Sequence, residues 1–312
     1  MPEFKLVIPV AFIVFNRPDK TQKVFSEIAK AKPTKLLVIC DGARKDRAGE
    51  LKRVKQVKQI VSQVDWPCEV LTNFSDVNLG CKRRVSSGLD WVFEQVNEAI
   101  ILEDDCLPNQ TFFRFCQEML RRYQNDQRIG IISGTNFRSD FRFSQDSYFF
   151  SKYVHIWGWA SWRDRWQNAY DVNMSLWPHL RDKNLIRNFI DISEINYWED
   201  IFNKVYEDKI DTWDYQWFFA NLIKGRVNIM PAKNLISNIG FDAEATHTVR
   251  ASAFANLPTL LLEFPLSHPE VVKLNLHGDR FMFSYCFQPS LWMRILRKLK
   301  GFYSIAISKF QR

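Results

Sequence analysis

Three acids stand side by side in "AIILEDDCLPN" (99–109), where an apolar run ends in Glu103, Asp104 and Asp105. Adjacent carboxylates repel one another, and that cost is smallest at a solvated edge or around a cation. An acid, any residue and an Asp at the end of a strand can aim alternate carboxylates at a hard divalent ion, which prefers oxygen ligands and keeps waters and substrate phosphates. A solvated acidic turn is the other reading. In "DVNLGCKRRVSSGLDWVF" (76–93), Asn78 and Gly80 suit a tight turn, Lys82, Arg83 and Arg84 carry charge for an anion, and a helix start follows. A capped helix with a solvated basic first turn reads equally well. Asp41 in "VICDG" is either a turn residue or an acceptor of hydrogen bonds from a ribose or base. Asp214, set among Trp213, Tyr215 and Trp217 in "DTWDYQWFF", has the partly apolar surroundings that suit a general base, against the plain reading of an Asp favoured at a helix N-terminus. Trp157, Trp159, Trp162 and Trp166 fall within ten residues of "HIWGWASWRDRW"; such rings pack cores and also stack on sugars, and Trp162 and Trp166 are assigned to the core.

The elements that must carry these residues alternate. "PVAFIVF" (9–15), "KLLVICDG" (35–42), "CEVLTNF" (68–74) and "AIILE" (99–103) read as strands. Between them, 17–31, 46–64 and 83–96 place apolar residues at helical spacing. The order predicts an α/β fold, a mostly parallel sheet with helices on both faces. Ligands of open parallel sheets gather beyond the carboxyl ends of the strands. Asn16 and Arg17, Asp41, Asn73 and the acidic triplet all fall at such ends, so they are expected to share one rim. A further strand and turn, "GIISGTNF" (130–137), carries Gly134, and 211–225 begins a helix at Asp214.

At 312 residues the chain is long enough to bury a substantial core, and 15% aromatic content marks it as globular. The net charge of +8 owes six charges to the segment from Leu291 onward, which holds no acid, leaving +2 for the rest. That distribution argues against a nucleic-acid partner. The basic, amphipathic "LWMRILRKLKGFYSIAISKF" either docks on the domain or lies on an anionic membrane surface. Six cysteines without CxxC spacing favour a reduced, cytoplasmic setting, peripheral to the membrane at most. The apolar run 6–15 lacks a signal-peptide cleavage pattern and reads as a strand.

The segments "VAFIVFNRPDKTQKVFSEI", "VICDGAR", "NLGCKRRVSSGLDWVF" and "IILEDDCLPNQTFFRF" together resemble nucleotide-sugar glycosyltransferases of the GT-A (Rossmann-like) fold. They resemble most closely the branch of N-acetylglucosaminyltransferase I and bacterial polysaccharide transferases. The resemblance spans roughly residues 5–250, and implies a transferase domain over 1–250 followed by a C-terminal, acceptor-side extension over 251–312. It implies Mn²⁺ or Mg²⁺ at the triplet, with Asp105 as the direct ligand and Glu103 and Asp104 toward the donor. Phe15, Asn16, Arg17 and Asp41 would hold the uridine part, with Asn78, Gly80 and Arg84 also on the donor side. Asp214 matches the family's base, and His247 in "NIGFDAEATHT" its flap ligand to metal or pyrophosphate, where a surface His is the plain reading. Gly134, Trp157, Gly158, Trp159 and Trp213 would line the acceptor and sugar pocket. The implied activity is metal-dependent, inverting transfer of a hexosyl or N-acetylhexosaminyl group from a UDP-sugar to a glycan or lipid-linked acceptor.

Two rivals follow from the same residues. A lectin-like protein would use the tryptophans and need neither cation nor base. A nucleotidyltransferase would usually carry a glycine-rich loop after its first strand, whereas "FNRPDKT" has no glycine.

Overall fold

The computed structural model describes residues 4–141, 143–241 and 254–288. In chain order the elements are β1 (Val10–Val14), α1 (Pro18–Ala31), β2 (Lys35–Cys40), α2 (Glu50–Val61), β3 (Glu69–Phe74), α3 (Gly80–Gln95) and β4 (Glu98–Glu103). There follow β5 (Cys106–Pro108), α4 (Gln110–Tyr123), β6 (Ile129–Ser133), β7 (Tyr148–Ser151), β8 (Trp159–Trp162), α5 (Arg163–Gln167) and α6 (Trp177–Asp182). The last are α7 (Ile195–Tyr206), α8 (Asp214–Ile223), β9 (Val227–Pro231), β10 (Ile236–Asn238) and α9 (Leu276–Met282).

Eight strands form one sheet in the order β3-β2-β1-β4-β8-β6-β9-β7. β3, β2, β1 and β4 pair in parallel, and β6 pairs in parallel with β9; β8 and β7 run against their neighbours. The mixed α/β sheet expected from the alternating pattern is therefore present. Strand period two sorts each strand's residues between faces. Val10, Phe12 and Val14 of β1 join α1, α2 and α4 in one core, whereas Ala11 and Ile13 join α3, α5 and α8 in the other. Central strands buried on both sides explain the near-continuous apolar runs. The first turn of α3 begins at Gly80, three residues before the helix expected at 83.

The tryptophan run is divided between the two faces of the sheet. β8 inserts antiparallel between β4 and β6, with Ile101 opposite Trp159 and Ser133 opposite the same residue. Trp159 points into the α3/α5/α8 core with Trp166, Trp213 and Trp217, its ring 5.9 Å from that of Trp213. A third core, between α6, α7, α8 and the stretch after α9, gathers Tyr153, Trp177, Trp198, Phe202, Phe218 and Phe283.

The boundary expected at 250 falls outside the described residues. Residues 254–288 contribute Leu262 and Leu266 to the first core and Met282 and Phe283 to the third. α9 is tied to the end of β7 by Asp279, which accepts from Ser151 Oγ (2.6 Å) and Lys152 N (3.1 Å). Lys152 Nζ in turn donates to Glu194, which also accepts from the Tyr153 hydroxyl. Burial pushes Asp279 up to about 6, with Ser151 and Lys152 opposing and Glu194 adding to the rise. Its native carboxyl holds its proton to higher pH than the unfolded one, so this group's contribution to stability falls as pH rises from about 4 to 6 and stays lost above. Asp279→Asn is expected to remove that slope. In urea melts the wild type's stability relative to the variant should fall by roughly 2–3 kcal/mol between pH 4 and pH 7.

None of the six cysteines is in a disulfide among the described residues. Among the described residues no helix is long and apolar enough to cross a membrane. The basic segment from Leu291 onward lies outside the described residues.

Candidate active site

The parallel register sets the carboxyl ends of β3, β2, β1 and β4 side by side, with Val14 opposite Cys40, Cys40 opposite Phe74 and Ile13 opposite Glu103. Asp104, immediately past β4, accepts from the backbone N–H of Phe15, immediately past β1 (3.2 Å). Arg17, next along that loop, donates from Nη1 to Asp105 Oδ2 (2.8 Å), and its Nε lies 3.5 Å from Asp104 Oδ1. Strand order thus converts residues nearly ninety positions apart into one ionic cluster.

Charge is in excess at this rim. Burial raises the pKa of Glu103 and Asp104; for Glu103 the neighbouring Asp105 and Asp104 add to the rise, and Arg17 opposes it for both. Asp214 also raises Glu103, which places the two groups within electrostatic reach. Asp105 keeps 16% of its side chain exposed against 5% for Asp104, so it is the more open of the pair. Gly240 packs directly over it: a Cβ there would lie 2.1 Å from Asp105 Oδ2 and 2.9 Å from Arg17 Nη1. β10 holds that glycine in place by pairing with β5, extended by Ile239 N donating to the Asp105 carbonyl (2.8 Å).

The two sides of the β1–β2 rim are braced from within. Asn16 Nδ2 donates to Glu50 Oε1 (2.7 Å), and Arg44 holds the same fully buried carboxylate through Nη2 (2.6 Å) and its backbone N–H (2.7 Å). These partners hold the Glu50 pKa below its ordinary value despite burial. Arg44 also sits over the Phe15 ring, 5.5 Å from its centroid. Phe15 therefore faces the rim as a half-buried ring beside a cation.

The turn before α3 is organised differently from the expectation of an open anion site. Asp41 accepts from the backbone N–H groups of Gly42, Leu79 and Gly80 and from Asn78 Nδ2. Asp211 takes the next two, Cys81 N (3.3 Å) and Lys82 N (3.0 Å). Carboxylates of the chain itself thus fill the N-terminus of α3, which satisfies orphan donors and suits the helix dipole. Lys82 pairs with Asp208 at 2.5 Å. Arg84 is turned inward, donating to the carbonyls of Cys40 and Asn73 and to Asn73 Oδ1, so it fastens β2 to β3 and does not face a ligand. Asp41, Asn78 and Gly80 come together as expected, but on one another.

The aromatic side of the rim begins where β8 runs toward β4. Ser133 Oγ and Thr135 Oγ1 donate to the carbonyls of His155 and Trp157, and Gly134 N donates to the Gly158 carbonyl (2.7 Å). Gly158 has φ +63°, a left-handed backbone that glycine adopts at no steric cost. A Cβ on Gly134 or Gly158 would strike Ile236, at 2.6 and 2.5 Å. Both glycines therefore serve close packing against Ile236 of β10. Trp159 and Trp213 are likewise core, 0% and 2% exposed, because β8 and α8 turn them onto α3.

Trp157 lines a cavity of about 260 Å³ beside Asp214. Tyr153, His155, Tyr197, Trp198, Tyr215 and Phe218 complete much of its wall. Asp214 is half-buried in the first turn of α8 and accepts from the Thr212 hydroxyl. His155 is driven down to about 4 by burial, so it is neutral at neutral pH. Sequence reasoning passed over His155 and Tyr197, and read Tyr215 only as part of the surroundings of Asp214. The "YVHIWGW" stretch reads as aromatic packing, and α7 lies too far along the chain to signal that Tyr197 meets Asp214. The cavity adjoins the acidic rim through Trp157, whose ring is 5.6 Å from that of Phe241, the residue after Gly240. His247 lies outside the described residues.

The fold and the site together define an α/β sheet protein whose carboxyl rim joins an acidic, arginine-paired cluster to an aromatic cavity containing a carboxylate. No family model matches the chain, and no curated protein matches it. Among solved structures it is similar to a galactosyltransferase, LgtC, determined with donor and acceptor sugar analogues, at 8% identity and a TM-score of 0.37, over 71% of this chain and 73% of the other. It is similar to mouse xyloside xylosyltransferase 1 at 9% identity and a TM-score of 0.33, over 69% and 81%. It is also similar to 4-diphosphocytidyl-2C-methyl-D-erythritol synthase from Anaerococcus prevotii DSM 20548, at 12% identity and a TM-score of 0.32, over 70% and 99%.

Proposed function

We propose that this chain transfers a sugar from a nucleotide donor, a UDP-sugar by its resemblance, to a hydroxyl of a glycan or lipid-linked acceptor, with inversion. The observation that carries the reading is the junction just described: Asp104 and Asp105 at the β4 rim and Asp214 in an adjoining aromatic cavity. Phosphate chemistry needs positive charge and acceptor activation needs a base, and this rim sets a candidate for each side by side.

The donor set suits Mn²⁺ or Mg²⁺. Carboxylate oxygens are hard ligands of the kind these ions take, and such an ion is commonly held by one or two carboxylates with its other positions left to water and phosphates. Asp105, the more exposed carboxylate, would hold it, with Asp104 alongside and His247 as a further candidate. Bound there, the ion would supply charge neutralisation for a departing diphosphate.

The chain's own groups do the rest. Phe15, beside Arg44, offers a face for the base of the nucleotide. Trp157, Tyr197 and Tyr215 offer faces for sugar rings. Asp214 accepts the acceptor hydroxyl's proton at its carboxylate, so the oxygen attacks the anomeric carbon from the side opposite the leaving diphosphate. One displacement of this kind inverts the centre and needs no covalent enzyme intermediate.

A thermal-shift panel of nucleotide sugars with and without Mn²⁺ tests the reading. One donor at about a hundred times its Kd should raise the melting temperature by several degrees, and more with Mn²⁺ present. Stabilisation by none of them overturns it. Stabilisation by free sugars alone, indifferent to Mn²⁺ and to nucleotide, replaces it with a carbohydrate-binding function.

A further inference from the structure

Arg17 is built into the acidic cluster in a way that bears on how a cation enters. Its backbone is fixed: the Arg17 carbonyl accepts from both N and Oγ1 of Thr21 (2.9 and 2.8 Å) at the start of α1, and Pro18 follows. Its side chain is held less completely. Nη1 bonds Asp105 Oδ2 at 2.8 Å, while the buried Nε has no hydrogen-bond partner and stands 3.5 Å from Asp104. The guanidinium is not sealed off, with 17% of the side chain exposed.

The oxygen it holds is the one a cation would want. Gly240 covers one side of Asp105 Oδ2, and Nη1 takes another. A divalent ion binds carboxylate oxygen at about 2.0–2.2 Å, so an ion on Oδ2 would stand beside a guanidinium nitrogen at close range, with like charges repelling at low dielectric. Asp105 Oδ1 also has a neighbour, a weak hydrogen bond from Cys106 Sγ at 3.5 Å.

We infer that Arg17 is the resident counter-ion of Asp104 and Asp105 and competes with the divalent cation for Asp105, so that a cation binds only as the Arg17 side chain swings off Oδ2. The inference rests on the reading of Asp105 as the cation's ligand. Arg17 then stabilises the cation-free protein, keeps adventitious ions weakly bound, and becomes a free guanidinium at the rim when a cation arrives. The pivot is the side chain alone, because the backbone is locked by Thr21 and Pro18.

The test is Mn²⁺ binding to the full chain without nucleotide, read from the electron paramagnetic resonance signal of the free ion. Arg17→Gln is expected to bind Mn²⁺ about tenfold tighter than wild type, equivalent to removal of one competing charged hydrogen bond. The gain should vanish in the Arg17→Gln, Asp105→Asn double variant. Arg17→Lys keeps the countercharge but not the planar fork, and should fall between. Should Arg17→Gln fail to fold, by circular dichroism, Arg17→Lys decides: an affinity equal to wild type overturns the inference. If Arg17→Gln folds and binds no tighter than wild type while Asp105→Asn binds more weakly, the cation site stands and the competition is wrong. A tenfold gain that survives Asp105→Asn places the ion elsewhere and also overturns it. Absence of Mn²⁺ binding in every variant overturns both the competition and the cation site.

Discussion

Asp105→Asn is expected to lower turnover with the nucleotide-sugar donor by on the order of a thousandfold, the scale on which removal of a transition-state charge stabiliser acts. The substitution changes charge and little else. Asparagine has nearly the volume of aspartate, so Gly240, whose Cα closes over the carboxylate, is not displaced. The backbone bond from Ile239 to the carbonyl of residue 105 is unaffected, so the β5–β10 pair should persist. What is lost is the anionic partner of Arg17 and the more exposed of the two oxygen donors at the rim. Loss of Mn²⁺ dependence should accompany the loss of rate, with the native fold retained by circular dichroism. Turnover and Mn²⁺ response equal to wild type would remove the acidic rim from the mechanism.

Asp214→Asn is expected to lower kcat by about 10²- to 10⁴-fold, as loss of a general base does, while leaving donor affinity unaltered. The separation follows from position. Asp214 lies on α8 in the aromatic cavity, whereas Arg17, Asp104 and Asp105 lie on the β1 and β4 loops. The cost to stability should be small, roughly 0.3–1 kcal/mol for one charge in the first turn of a helix. Single-turnover rates together with donor titrations distinguish this from a structural role. A fall in donor affinity with kcat intact would move Asp214 out of acceptor activation.

Aromatic residues near the site separate by which face of the sheet they leave. Trp159 and Trp157 are two residues apart and were expected to share a pocket. Trp159 lies within β8, packed against α3 and α8, while Trp157 precedes the strand and reaches the cavity across Gly158. Nothing local distinguishes the two rings. The difference arises because β8 turns back against β4, which only the assembled sheet reveals. Arg84 offers the same lesson with a charge. It stands in a basic run at a helix start, yet its guanidinium donates to the carbonyls at the ends of β2 and β3.

By itself the sequence determined the alternation of strands and helices, because burial on both faces demands apolar runs and burial on one face demands helical stripes. It also determined that Arg17, Asp41 and the Glu103–Asp105 triplet sit at one rim, because parallel strands must all point the same way. Tertiary structure alone decided the partners at that rim. Arg17 meets Asp105 because β1 and β4 are neighbours, Asp41 and Asp211 fill the α3 N-terminus in place of a ligand, and Tyr197 joins Asp214 from another helix. Such contacts depend on distances between elements, which residue spacing along a chain does not encode.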